Sequence, residues 1–101
     1  MQAVQAVLKK TGLTIRDIDL FEITESFAAQ TIYTLRELDL PIERTNICGG
    51  DVALGHPLGT SGARALVTLL HSLKREKKRL GLSSVCFGGG GAIALVVENI
   101  D

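Results

Sequence analysis

An alternation of helical and strand patterns predicts an α/β fold for this 101-residue chain. Three observations carry the prediction. Apolar residues recur at helical spacing from Ala28 to Leu38 and from Ala63 to Leu73; strand-like runs stand at 20–23 and 82–87; and a near-continuous apolar run at 92–98 has the composition of a strand buried on both faces. At this length the chain makes one modest domain that buries roughly 60% of its unfolded surface, and a second domain is excluded.

Each element has its own signal. Val4, Val7 and Leu8 fall on one helical face before Gly12, a C-terminal stop. Thr14-Ile15-Arg16-Asp17 fits a capping box with aspartate as the acid, and predicts a short turn. Leu20-Phe21-Glu22-Ile23 reads as a strand. From Ser26, the spacing Ala28, Ile32, Leu35, Leu38 predicts an amphipathic helix closed off before Pro41. Asn46-Ile47-Cys48 is a short strand candidate running into Gly49-Gly50. Ser61 can cap a helix whose inner face is Ala63, Leu66, Val67, Leu70 and Leu73. Residues 82–87 form a strand, the glycines after it turn the chain, and 92–98 return.

Composition narrows the function classes. Lys plus Arg and Asp plus Glu both number 11, for a formal net charge of +0, so no nucleic-acid or anionic-membrane partner is expected. The basic cluster Lys74-Arg75-Glu76-Lys77-Lys78-Arg79 falls at a helix end, where cations offset the macrodipole. Two cysteines without a leader point to a reducing compartment, the cytoplasm. No apolar stretch approaches the roughly 18 residues of a membrane span, so no membrane is expected.

The chemistry concentrates at two places. Pro57 disfavours helical backbone at the residue before it, so His56 is biased to an extended conformation with few imidazole orientations, as a general base requires. Cys86 precedes the run Gly88-Gly89-Gly90-Gly91, where the missing Cβ atoms permit positive φ and leave N–H groups open to a substrate oxyanion. The alternatives are a loop histidine bonded to backbone and a small core cysteine. Nucleotide motifs do not fit: Ile93 stands at the third glycine position of a G-x-G-x-x-G reading, and Gly55 to Gly62 carries no lysine for a phosphate loop. His56, His71, Cys48 and Cys86 lack zinc-ligand spacing, so no metal site is expected, and His71 is placed on a helix surface.

Three blocks then fall in order: Thr24-Glu25-Ser26-Phe27-Ala28-Ala29-Gln30; Asn46-Ile47-Cys48-Gly49-Gly50 with Gly55-His56-Pro57-Leu58-Gly59-Thr60-Ser61-Gly62-Ala63-Arg64; and Cys86-Phe87-Gly88-Gly89-Gly90. Together they resemble the C-terminal domain of a thiolase, over 1–101. The resemblance implies acyl transfer between coenzyme A thioesters, by 3-ketoacyl-CoA cleavage or acetyl-CoA condensation, with acyl-CoA as substrate and no cofactor. It implies that Cys86 exchanges a proton with the α-carbon of an acyl unit, that His56 activates a nucleophilic cysteine, that the Gly88 N–H serves an oxyanion hole, and that Phe27 lines the pantetheine tunnel. It also implies a homo-oligomer.

The sequence departs from the family pattern at Thr24, where an asparagine usually holds a catalytic water, at Cys48, again an asparagine position, and at Asp51, usually a small residue. The Asp51 carboxylate either pairs with His56 or points to solvent, and solvent is the expected orientation. The family's nucleophilic cysteine and most of its coenzyme A site have no counterpart here, and neither does the family's first strand, taken as central in the sheet. The expectation is therefore a domain incomplete at its N-terminal end. Four strands would form two pairs with a gap between 20–23 and 82–87, and the chain would be inactive alone, depending on a thiolase N-terminal half or another chain to complete the sheet. The alternative is a non-catalytic thiolase-like interaction module or truncated fragment.

Overall fold

The computed structural model of the chain describes residues 1–57 and 59–101; Leu58, part of the 55–64 block, lies outside them. Helix α1 (Gln2–Thr11) stops at Gly12, whose left-handed φ of 71° lets its N–H reach the Leu8 carbonyl. In the turn that follows, Asp17 Oδ2 accepts the Thr14 N–H at 2.7 Å and the Thr14 hydroxyl at 3.0 Å, the acidic half of the predicted capping box. The remaining elements are β1 (Leu20–Ile23), α2 (Ala28–Leu38), a single turn α3 (Asp51–Leu54), α4 (Ser61–Arg75), β2 (Leu80–Phe87) and β3 (Gly91–Glu98).

The three strands form one mixed sheet in the order β1-β2-β3. β1 runs parallel to β2 in the register Leu20↔Gly81 to Ile23↔Ser84, and β2 runs antiparallel to β3 from Leu80↔Glu98 to Phe87↔Gly91. This corrects the expected gap: no strand separates β1 from β2. Helix α4 packs across both, with Leu69 and Leu73 against Leu20, and its approach is set by Gly81, where a Cβ would stand 2.8 to 3.0 Å from the Leu69 and Leu73 methyls. A helix seated on two strands at once needs them adjacent. The pairing continues past β1, since the Asp19 N–H donates to Leu80 O at 2.9 Å and the Thr24 N–H to Ser84 O at 3.0 Å.

Residues 46–48 do not form the expected strand. Thr45 makes a single parallel bridge to Phe21, after which Asn46 turns the chain at φ 50°. Its side-chain amide substitutes for the missing backbone: Asn46 Oδ1 accepts the Ile23 N–H at 2.8 Å and Asn46 Nδ2 donates to Ile23 O at 2.9 Å. The outer edge of β1 is thereby satisfied without a strand. β3 is only half-buried, with Ile93 exposed, against the expected burial on both faces. One face of the sheet carries α1 and part of α2 over Val4, Ile18, Phe21, Ile23, Leu80 and Leu82; the other carries α4.

Two helices form as expected but turn inward a face that matches the expected one only in part. In α2, Leu35 and Leu38 pack on the core as expected, but the most buried positions are Thr31 and Thr34, and Ile32 is exposed. In α4 they are Ser61, Ala65, Leu69, Ser72 and Leu73, while Ala63, Val67 and Leu70 face outward. Helix α4 carries two apolar stripes, and spacing alone does not say which meets the sheet.

Candidate active site

His56 is held by side chains from two elements, α3 and α4. Gly50 precedes α3, and a Cβ there would meet Glu25 Oε1 at 2.8 Å, so a larger residue would push the Glu25 side chain aside. Asp51, the first residue of α3, lies in the interior with its side chain 1% exposed, so the expected solvent-facing Asp51 is corrected. Gly55 ends the short helix at φ 96° and brings His56 back over it. His56 Nδ1 lies 2.7 Å from Asp51 Oδ2 and 2.9 Å from Ser61 Oγ. Ser61 is not the cap of α4 but its first residue; its hydroxyl donates to Pro57 O at 3.1 Å.

The Asp51 carboxylate has further partners. Arg64, one turn into α4, donates to Asp51 Oδ1 at 2.7 Å and to Glu22 Oε1 at 3.1 Å. The Glu25 N–H donates to Asp51 Oδ2 at 3.2 Å. Glu22 sits among buried residues of β1, on the α4 side of the sheet, and burial raises its pKa against the opposing pull of Arg64. The cluster answers the expectation for buried charge, which is tolerated when paired and hydrogen-bonded.

Gly88 is placed by backbone, and Cys86 by backbone together with two hydroxyl side chains. Cys86 lies in β2 opposite Ala92, and the chain reverses through Gly88, Gly89 and Gly90, the last two at φ 90° and 84°. Gly91 opens β3 beneath the Phe87 ring, where any Cβ would collide with the ring. Thr24 lies buried under the cysteine: its Oγ1 accepts the Cys86 N–H at 3.3 Å and donates to Cys86 Sγ at 3.8 Å, and Ser26 Oγ lies 3.1 Å from the same sulfur.

The two arms meet at an open cleft of about 340 Å³ lined by His56, Pro57, Ser61, Cys86, Phe87 and Gly88, among others. The residues singled out for acid/base and oxyanion chemistry thus share one concavity. Phe27 does not line it and stands exposed on the surface. Elsewhere, Cys48 is exposed, and hydrogen bonds from Arg75 and Ser72 lower its thiol pKa. His71 is exposed on α4 as expected. Among the described residues, no group of three His, Cys, Asp or Glu is placed to hold a metal ion, and no helix is long and apolar enough to cross a membrane.

Comparison with known proteins decides the family. The model of the thiolase C-terminal domain matches residues 1–99. The chain belongs to that family. As a thiolase domain it is 55% identical, over 97% of its length, to a probable acetyl-CoA acyltransferase of Staphylococcus aureus (strain MRSA252), and covers 25% of that protein. A Staphylococcus epidermidis protein of the same description is 48% identical over the whole chain, again with 25% of its length covered. Among solved structures, human mitochondrial 3-ketoacyl-CoA thiolase in complex with CoA superposes with a TM-score of 0.93 at 44% identity, over 97% of this chain and 25% of that one. Bacillus anthracis acetyl-CoA acetyltransferase gives 0.93 at 45% identity, over 96% and 25%. The thiolase domain therefore spans about a quarter of the length of the relatives it matches.

Sequence reasoning missed Glu22, Ser26 and Arg64 as parts of this cluster. Glu22 carried no clear signal, since a carboxylate alternating with Phe21 and Ile23 in a strand also fits a solvent-facing side. Arg64 is the sole Lys or Arg in 61–73.

Proposed function

We propose that this chain carries the acid/base residues of a thiolase acting on coenzyme A thioesters, by 3-ketoacyl-CoA cleavage or acetyl-CoA condensation. The observation that carries this reading is the single cleft that His56, Cys86 and Gly88 line together. In the cleavage direction, a nucleophilic cysteine from the remainder of a thiolase gives its proton to His56 and attacks the C3 carbonyl. The C2–C3 bond breaks, and its electron pair becomes the enolate of acetyl-CoA. The Cys86 thiol protonates C2 and releases acetyl-CoA. The Cys86 thiolate then takes the proton of a free CoA thiol, which attacks the acyl-enzyme carbonyl, its oxyanion accepting the Gly88 N–H, and the departing cysteine thiolate recovers its proton from His56.

Ser26 and Thr24 fix the Cys86 sulfur for its proton transfer. The exposed apolar positions Val67 and Leu70 of α4, and Phe27, Ile32 and Tyr33 around α2, give the remainder of a thiolase surfaces to cover. Phe27, on that surface, remains in this reading a wall of the pantetheine tunnel. Association as a homo-oligomer and a cytoplasmic location belong to the same reading, the latter supported by the free thiols of Cys48 and Cys86.

The test is a chimera in which this chain replaces the corresponding quarter of the Staphylococcus aureus acetyl-CoA acyltransferase. It is expected to cleave acetoacetyl-CoA, whereas the isolated chain does not. His56→Ala and Cys86→Ala should each lower its kcat by at least ~10²-fold. A folded chimera without turnover, beside an active parent enzyme, sinks the reading; wild-type rates in either variant remove that residue from the mechanism.

A further inference from the structure

We propose that Asp51 is the positioning residue of His56: its carboxylate keeps the imidazole proton on Nδ1, so that Nε2 is the nitrogen left free to exchange protons in the cleft. The geometry stands by itself, and its catalytic consequence rests on the acyl-transfer reading above.

The proton's place follows from counting donors and acceptors. Asp51 accepts from Arg64 at Oδ1 and from the Glu25 N–H at Oδ2, so the oxygen that faces His56 Nδ1 at 2.7 Å is an acceptor. Ser61 has one hydroxyl proton, and it goes to Pro57 O; what Ser61 presents to Nδ1 at 2.9 Å is a lone pair. Two acceptors converge on Nδ1, which must therefore carry hydrogen. A neutral imidazole has one such proton, so Nε2 keeps its lone pair. The Asp51 side chain is 1% exposed and the His56 side chain 36%, so the carboxylate end of the bond is dry while the imidazole opens to the cleft.

Arg64 gives the arrangement its direction. Replacing Asp51 by Asn leaves one acceptor and one donor where there were two acceptors. The Arg64 cation takes the amide oxygen, at the cost of the 3.2 Å Glu25 N–H contact, so the amide NH2 falls toward His56; Nδ1 then accepts from it, and the Ser61 hydroxyl, which can rotate, no longer decides the tautomer. The imidazole proton then moves to Nε2, and the base is lost to the cleft. Replacing Asp51 by Ala removes the carboxylate but leaves the Ser61 lone pair, which still selects the Nδ1 proton. The two variants thus separate positioning from packing. If Asp51 only partnered Arg64, Asn would be the milder change and Ala the harsher, because Asn still offers Arg64 an acceptor.

The experiment measures kcat and KM for acetoacetyl-CoA cleavage in the chimera with wild-type Asp51, Asp51→Asn and Asp51→Ala, together with the imidazole nitrogen shifts of ¹⁵N-histidine-labelled chain. Its only other histidine, His71, is removed by substitution for the assignment. Asp51→Asn should lower kcat by ~10²-fold or more with little change in KM, the loss that accompanies a wrong tautomer. Asp51→Ala should lose about tenfold at most while unfolding more readily in urea than Asp51→Asn. The nitrogen shifts should place the proton on Nδ1 in wild type and Asp51→Ala, and on Nε2 in Asp51→Asn. The proposal is overturned if Asp51→Ala loses more kcat than Asp51→Asn, if Asp51→Asn keeps its Nδ1 proton, or if the inverted tautomer leaves kcat unchanged. A wild-type chimera without turnover, with nitrogen shifts as expected, would instead sink the acyl-transfer reading and leave the tautomer assignment standing.

Discussion

His56 is fixed by side chains, through Asp51, Ser61 and behind them Arg64 and Glu22, whereas Cys86 and Gly88 take their places from the backbone of a hairpin whose loop is glycine, with Thr24 and Ser26 added at the cysteine. The first arm spans α3, α4 and β1; the backbone of the second lies within one local reversal. The contrast teaches where each arm is vulnerable. The histidine arm depends on buried charges that must all be present, and the cysteine arm on residues that must stay small.

The largest effect is expected from breaking the histidine arm at its cation. Arg64→Met leaves Glu22 and Asp51 buried without a counter-charge, and should cost about 3 to 5 kcal/mol in urea unfolding. A loss below about 1 kcal/mol would show that the cluster behaves as a surface pair. The hairpin should respond less. Gly89→Ala and Gly90→Ala force an L side chain into φ 90° and 84°, for roughly 1 to 2 kcal/mol each. The comparison sharpens if they leave the His56 nitrogen shifts unchanged; a shift there would show that the arms are coupled.

The smallest effect is in pH dependence, where the arms should differ in sign. Glu22, in the histidine arm, has a folded pKa raised by burial. Its contribution is full below the ordinary glutamate value of about 4.3 and is lost as pH rises through the higher folded value. At the foot of the hairpin, Asp19 Oδ2 accepts the N–H groups of Leu80 and Arg79, both at 3.0 Å, and its folded pKa is lowered chiefly by the Leu80 bond. That contribution is full above the ordinary aspartate value of about 3.9 and is lost as pH falls through the lower folded value. Glu22→Gln should therefore flatten the decline of stability above pH ~5, and Asp19→Asn the decline below pH ~4. Unfolding curves across pH check both, and slopes unchanged from wild type would remove these groups from the account.

The sequence showed the cysteine arm more plainly than the histidine arm. A cysteine before a glycine run is local, and the hairpin that follows from it formed in the expected register of strand, turn and strand. Asp51 was misjudged because its burial depends on Arg64, thirteen positions away in sequence, and on Glu22 in β1. The sheet order was misjudged for a related reason: strand patterns identify Leu20–Ile23 and 82–87 as strands but carry no statement of adjacency, which here is imposed by α4 seated over Gly81. Asn46 imitates a strand with its side chain, and no period of two reports that. In α4 the helix was evident, but its two apolar stripes made the inward face ambiguous.

The register of the sheet also sets an order of assembly. β2 and β3 meet across a short reversal, whereas Leu20 finds Gly81 only when nearly the whole intervening chain has been laid down between them. Loop-closure entropy favours the hairpin first, on a microsecond scale, and the parallel pairing later. The Arg64 contacts to Glu22 and Asp51 tie α4 to β1 and α3, so they mature with that late closure. The Cys86 backbone is placed with the hairpin, whereas its Thr24 and Ser26 contacts and the His56 cluster wait for the late closure. In the proposed reaction, proton transfer in this cleft is consequently unavailable to a partly folded molecule, whose Cys86 thiol stays without the His56 imidazole beside it.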